Sequence, residues 1–190
     1  MLRKFALAMM ASALTMFCTT AGAQMVVHAM SGTVKAIDPH AKTMDIMIDN
    51  GDTDTFKLPG AGKVNIDFDR ALESDSVNAD KFQQIGDYVV VYYYGYDDNR
   101  TAVAVKDLGK GPFAKDEGTV VSYDKHDRTM TVKDGSGKSQ SFVLSDHLVV
   151  DTGESVAPGR SFGPHKGDYI RVTYSTTGGK NTAVFVRTRE

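Results

Sequence analysis

Two histidines stand at matching places, His40 and His126, each two residues after an aspartate, Asp38 and Asp124. Imidazole beside carboxylate suits zinc or copper(II), and a nearby thioether suits copper(I). Met47 follows the first pair, and Met25, His28 and Met30 add soft or borderline donors nearer the N-terminus. A metal site through His40, Met47 and His126, loaded with copper or zinc, is therefore one expectation. A plainer account competes with it. The histidines recur if a turn was simply duplicated, and Met44 and Met130, sharing parity with Ile46 and Val132, read as core residues.

A second group is aromatic. Tyr88, Tyr92, Tyr94 and Tyr96 fall on one parity of a strand-like run. Tyrosine rings offer flat apolar faces with a polar handle, so this row is a candidate surface for a ligand or protein partner. The competing reading is that the row packs against another barrel or another subunit, as aromatic faces often do at interfaces.

Catalytic signatures are missing. The only cysteine is Cys18, and no Gly-x-Ser-x-Gly elbow occurs. Gly137-Lys138-Ser139 lacks the first glycine of a phosphate loop, because Val132 stands there. The acidic run from Asp49 to Asp54 fits a hairpin better than a calcium loop. The chain is expected not to be an enzyme and to need no cofactor. A hydrolase with an unrecognised carboxylate pair is the catalytic alternative.

These residues must be set into elements, and the first segment supplies none. Arg3 and Lys4, an apolar stretch from Phe5 to Phe17, and Ala21-Gly22-Ala23 read as a signal peptide over residues 1–23, with a periplasmic or secreted destination. Lipidation at Cys18 is disfavoured by the bulky Phe17 before it. No later stretch is long and apolar enough for a membrane span. Twenty-two basic against 24 acidic residues argue against nucleic-acid binding by counterion release.

The remainder is one unit written twice. Gly32-Thr33-Val34 recurs as Gly118-Thr119-Val120, Thr43-Met44 as Thr129-Met130, and Phe56-Lys57-Leu58 as Phe142-Val143-Leu144. Gly86-Asp87-Tyr88-Val89 recurs as Gly167-Asp168-Tyr169-Ile170, and Thr101-Ala102-Val103 as Thr182-Ala183-Val184. The spacing changes between Leu58 and Gly86, which places an insertion in the first copy. Short Val, Ile, Thr and Tyr runs separated by turn residues predict strands. Asn50-Gly51 and Asp134-Gly135 predict type I′ hairpins, and Val77 to Ile85 a two-turn helix.

The expected fold is all-β: two tandem small OB-like or SH3-like barrels. The expected layout is an arm at 24–30, a first barrel at 31–109, a linker at 110–116 and a second barrel at 117–190. The repeated Gly-Thr-Val, Thr-Met, Phe-x-Leu, Gly-Asp-Tyr-Val and Thr-Ala-x-x-Val blocks resemble a bacterial family of secreted small β-barrels of unknown function, often found in tandem. That resemblance implies fold and export, and it transfers no catalytic residue. Periplasmic copper carriers of small-barrel type are similar in size, but their pattern needs a tryptophan and this chain has none.

The duplication also separates core from surface. Val89, Val91 and Tyr93 match Ile170, Val172 and Tyr174, so this parity is the core face. The other parity differs: tyrosines in the first copy, but Tyr169, Arg171, Thr173 and Ser175 in the second. Residues 24–109 carry eight basic and fourteen acidic groups, and residues 110–190 twelve and ten. Opposed halves are compatible with docking of one barrel on the other or with head-to-tail association into a homo-oligomer, but for such modest numbers a solvated surface of accidental sign is the stronger reading. The expected role is that of an exported, non-catalytic envelope protein that binds a small ligand or another envelope protein.

Overall fold

The computed structural model describes residues 27–48, 51–60 and 68–189. The expected signal peptide and Cys18 lie outside the described residues. The first half contains β1 (His28–Asp38), β2 (Thr43–Met47), β3 (Thr53–Lys57), a short helix α1 (Arg70–Ser74), β4 (Val77–Asn78), β5 (Tyr88–Tyr94) and β6 (Thr101–Asp107). The second contains β7 (Ala114–Asp124), β8 (Thr129–Lys133), β9 (Ser139–Asp151), β10 (Val156–Pro158), β11 (Tyr169–Thr177) and β12 (Lys180–Arg189). No helix among the described residues is long and apolar enough to cross a membrane.

Each half is a closed ring. In the first, the order is β3-β2-β1-β5-β6, and β3 pairs with β6 to complete the circle. In the second, the order is β9-β12-β11-β7-β8, closed by β8 on β9. Closure removes the exposed edges that would otherwise invite strand addition. The chain is thus all-β and built as two small closed five-stranded barrels in tandem.

The repeated motifs have distinct local causes. Gly32 and Gly118 sit where the long first strand of each barrel passes the end of its neighbour. A Cβ on Gly32 would come within 2.6 Å of both the Ile46 side chain and the Met47 carbonyl. A Cβ on Gly118 would run into the Lys133 carbonyl. Gly86 and Gly167 have φ of +90° and +105°, which a side chain would resist. Their amides donate to Val34 O and Val120 O at 2.9 Å, and Val34 N and Val120 N donate back to Asp87 O and Asp168 O. The Gly-Asp-Tyr block therefore pins the start of β5 and β11 to the first strand of each barrel.

Two similar cores follow. Val34, Met44, Ile46, Phe56, Val89, Val91 and Tyr93 fill the first, and Val120, Met130, Val132, Phe142, Ile170 and Val172 the second. Met44 and Met130 are core methionines, fully buried. Even a bulge is duplicated. Tyr92 pairs with Ala104 and Tyr93 with Ala102, skipping Val103, just as Thr173 pairs with Phe185 and Tyr174 with Ala183. Such an insertion re-aims the side chains beyond it.

Several boundaries differ from expectation. The span 77–85 is not a helix. It holds the two-residue strand β4 and a single 3-10 turn at Ala79–Lys81, where Ala79 and Phe82 plug the barrel core. The true helix, α1, lies earlier, with Asp69 capping it through a 2.8 Å bond from Ala71 N. The hairpin after β8 is not type I′. Gly137, not Gly135, has positive φ, and Asp134 N donates to Lys138 O across a three-residue loop. The Asp134 carboxylate selects that loop by accepting from Ser136 N, Ser136 Oγ and Lys138 N. Residue Asn50 of the equivalent hairpin lies outside the described residues. The arm is shorter than expected, since β1 starts at His28, and the linker loses Ala114, Lys115 and Asp116 to β7.

Candidate functional site

The barrels meet through equivalent faces. The outward residues of β1, β5 and β6 in the first barrel are Ala29, Ser31, Val90, Tyr92, Ala104 and Lys106. At the repeat spacing these match Lys115, Glu117, Arg171, Thr173, Phe185 and Arg187 on β7, β11 and β12. Ala29, Val90, Tyr92 and Ala104 join Val27 and Leu72 of the first half, and Val149 and Phe185 of the second, in a buried cluster. This third core lies between the barrels. Phe68 and Leu72, from the stretch between Leu58 and Gly86 that is five residues longer in the first copy, extend it, with Val156 of β10 packed alongside.

Polar bonds close the same seam. Asp151, fully buried, accepts from Ala29 N at 3.0 Å and from Gly153 N at 2.8 Å. Ser31 Oγ and Thr173 Oγ1 lie 3.0 Å apart, and Lys115 Nζ donates to Ser31 O at 3.0 Å. On the α1 flank, the buried Lys106 donates to Asp75 and to the His147 carbonyl. His147 Nδ1 is 3.2 Å from Asp75, and Arg160 is 3.7 Å from Asp69. In these last two pairs the acid comes from the first half and the base from the second, as the charge division favours.

The tyrosine row lies along this seam and divides between fates. Tyr92 is 0 % exposed, sealed in the inter-barrel cluster with its ring edge-on to Phe68 at 4.8 Å. Burial pushes its phenol well above the ordinary range, with the Asp75 charge adding to the effect. Tyr88 is half-buried and stacks on Phe113 of the connection at 4.8 Å, with Lys115 Nζ 5.8 Å from its ring. Tyr94 ends β5 half-buried. Only Tyr96 of the four is broadly open, at 73 % exposure. Tyr92 therefore cannot touch an outside partner while the barrels are docked.

The metal candidates are placed apart. His40 and His126 are exposed in the turn after the first strand of separate barrels. Each turn is held by its aspartate: Asp38 Oδ1 accepts from His40 N and Ala41 N, Asp124 Oδ1 from His126 N and Asp127 N. Those backbone bonds, led by Ala41 and Asp127, hold both carboxyls below the usual range. The Asp-x-His repeat is thus explained by turn geometry. Met47, half-buried, ends β2 opposite Thr33 and Thr53. Among the described residues no three His, Cys, Asp or Glu side chains converge to hold a metal ion.

What the seam leaves open is a cleft of about 450 Å³. Met30, Ser31 and Ile48 form its first-barrel wall, and Lys115, Arg171, Thr173, Phe185 and Arg187, with Asp116 and Glu117, its second-barrel wall. Arg171 donates from Nε and Nη2 to Glu117 Oε2 at 3.1 and 2.7 Å. Arg187 is engaged differently: its Nε lies 3.7 Å from Asp151 Oδ2, beyond hydrogen-bond reach. Met30 and Arg187 also line an adjoining hollow of about 290 Å³ with His28, Tyr93, Tyr96 and Arg100. There Arg100 is committed to the fold, paired through two 2.8 Å bonds with Asp54.

The cationic wall was not singled out from sequence. Lys115 falls in the expected linker, and of Arg171 and Thr173 only Thr173 stands where the first copy has a tyrosine, Tyr92. Aligning the copies residue by residue does expose it: Lys115 stands where the first barrel has Ala29, and Arg171 where it has Val90. No protein-family model matches the chain, and no curated protein matches it.

Proposed function

We propose that this is an exported, non-catalytic binding protein that holds a small ligand in the cleft between its two barrels. The observation that supports the reading is the unequal treatment of equivalent strand faces. In the first barrel Ala29, Val90 and Tyr92 are buried under the second. In the second, Lys115, Arg171 and Arg187 flank an open cleft beside Met30, Ile48 and Phe185. A concave site with apolar walls and a few convergent polar groups is the usual form of a small-molecule site. Tyr96, at the adjoining hollow, is the part of the tyrosine row that such a ligand would reach.

The test is a titration of isotopically labelled protein with a small-molecule extract of the producing cell's envelope, followed by amide chemical shifts. Binding in the cleft moves Met30 and Ser31, Lys115 to Glu117, Arg171 to Thr173 and Phe185 to Arg187. Shifts confined to the His40 and His126 turns, or none at all, would contradict it.

A further inference from the structure

Arg187 is the residue where the two hollows meet. Its neighbour Asp151 already has both carboxylate oxygens engaged by backbone amides, from Ala29 and Gly153. Among the described residues, the two terminal nitrogens of Arg187 have no hydrogen-bond partner, and its side chain is 40 % exposed. Its counterpart Lys106 is the opposite case, buried and spent on Asp75 and the His147 carbonyl. A guanidinium with its outer fork unengaged is a receptor for a planar oxyanion, which it grips through two parallel bonds.

We infer that the cleft takes a small amphipathic monoanion: a carboxylate seated on the Arg187 fork, with an apolar body along Met30, Ile48 and Phe185. This deepens the ligand-binding reading above and rests on it. The charge of the walls selects a monoanion. Asp116 and Glu117 line the same cleft, and Asp151 lies just behind Arg187. Lys115, Arg171 and Arg187 are balanced by Asp116, Glu117 and Asp151, so the walls hold no surplus cation to pair with the second charge of a dianionic phosphate. The body follows from the opposite wall. Met30 is an adaptable thioether, and Ile48 and Phe185 give apolar surface without a polar handle. The volume falls within the range of about 300–1,000 Å³ common for small-molecule sites.

The probe is a matched series on one eight-carbon chain: octanoate, 1-octanol and octylammonium, with calorimetry and amide shifts read on the purified protein. Octanoate is expected to saturate with shifts at Met30 and Thr173, and to bind about tenfold or more tighter than either analogue. Arg187→Met should bring octanoate down to the affinity of octanol for the same variant, and Arg187→Lys should recover part of the preference. The wild-type series carries the test even if Arg187→Met lowers stability. Equal binding of octanoate and octanol in the cleft would overturn the anion preference and leave the cleft as a binding site. No cleft shift with any probe would overturn the amphipathic-anion proposal, and the envelope-extract titration then decides the broader reading by itself.

Discussion

The outer faces of the two barrels descend from one repeat and have been put to different uses. On the first barrel the face reads Ala29, Val90, Tyr92, Ala104, and it is covered. On the second it reads Lys115, Arg171, Thr173, Phe185, and only Phe185 joins the shared apolar cluster fully. The tyrosine excess of the first copy thus marks an internal surface at Tyr92, while the cations of the second mark an open one. The stretch carrying Phe68 and Leu72, five residues longer than its counterpart in the second copy, belongs to the same asymmetry, because it adds the short helix α1 to the seam. A duplicated fold gains a cleft in this way: one copy supplies the apolar floor for docking, and the other leaves its polar face partly exposed.

Four substitutions or conditions probe that asymmetry, in falling order of effect. Tyr92→Ala empties the centre of the seam and should cost about 3–5 kcal/mol in urea unfolding, as large aromatic truncations in cores do. A cost like that of an exposed tyrosine would move this face back to the surface. Asp151→Ala leaves the Ala29 and Gly153 amides without their acceptor and should cost about 1–3 kcal/mol. Its effect on unfolding should appear as looser hydrogen exchange at Ala29, across the seam from the mutation.

A pH titration gives the next. Burial works to raise the Asp75 carboxyl, but Lys106 and His147 outweigh it and hold the carboxyl below its ordinary 3.8. A depressed carboxyl stabilises the fold above its unfolded value and loses that contribution as pH falls through the lower folded one. Asp75→Asn should therefore flatten the acid limb of the stability curve below about pH 4, and leave the neutral-to-alkaline limb parallel to wild type. The partly exposed pair makes this a small effect. Smallest is Tyr92→Phe. The Tyr92 hydroxyl is buried with no hydrogen-bond partner among the described residues. Its removal should leave stability unchanged or raise it by about 1 kcal/mol. A clear loss would mean the hydroxyl is satisfied.

Much of the fold was legible because the repeat itself reports it. The Gly-Thr-Val and Gly-Asp-Tyr blocks are backbone requirements, visible as residue identities at Gly32, Gly86, Gly118 and Gly167. Core parity was legible at Val89, Val91, Ile170 and Val172 for the same reason. The short helix was misplaced because five residues at 70–74 carry too little periodicity, whereas Ala79 and Phe82, three apart, mimic a helical face from within a 3-10 turn. The hairpin type was lost to the Asp134 side chain, whose bonds decide the loop and leave no trace in Asp-Gly composition. The cleft was the least legible part. Lys115, Arg171 and Arg187 come from three strands, and which of them face an opening depends on how two barrels dock, a long-range fact that no local pattern carries. The histidine pair shows the converse, a regular spacing that Asp38 and Asp124 explain through turn bonds.

The most direct test of the docked arrangement is hydroxyl-radical footprinting of the purified protein, read tyrosine by tyrosine. The seam predicts rapid modification of Tyr96, intermediate rates at Tyr88 and Tyr94, and strong protection of Tyr92 until the protein unfolds. Modification of Tyr92 at the rate of Tyr96 in the folded protein would contradict the seam, and with it the cleft that the seam creates.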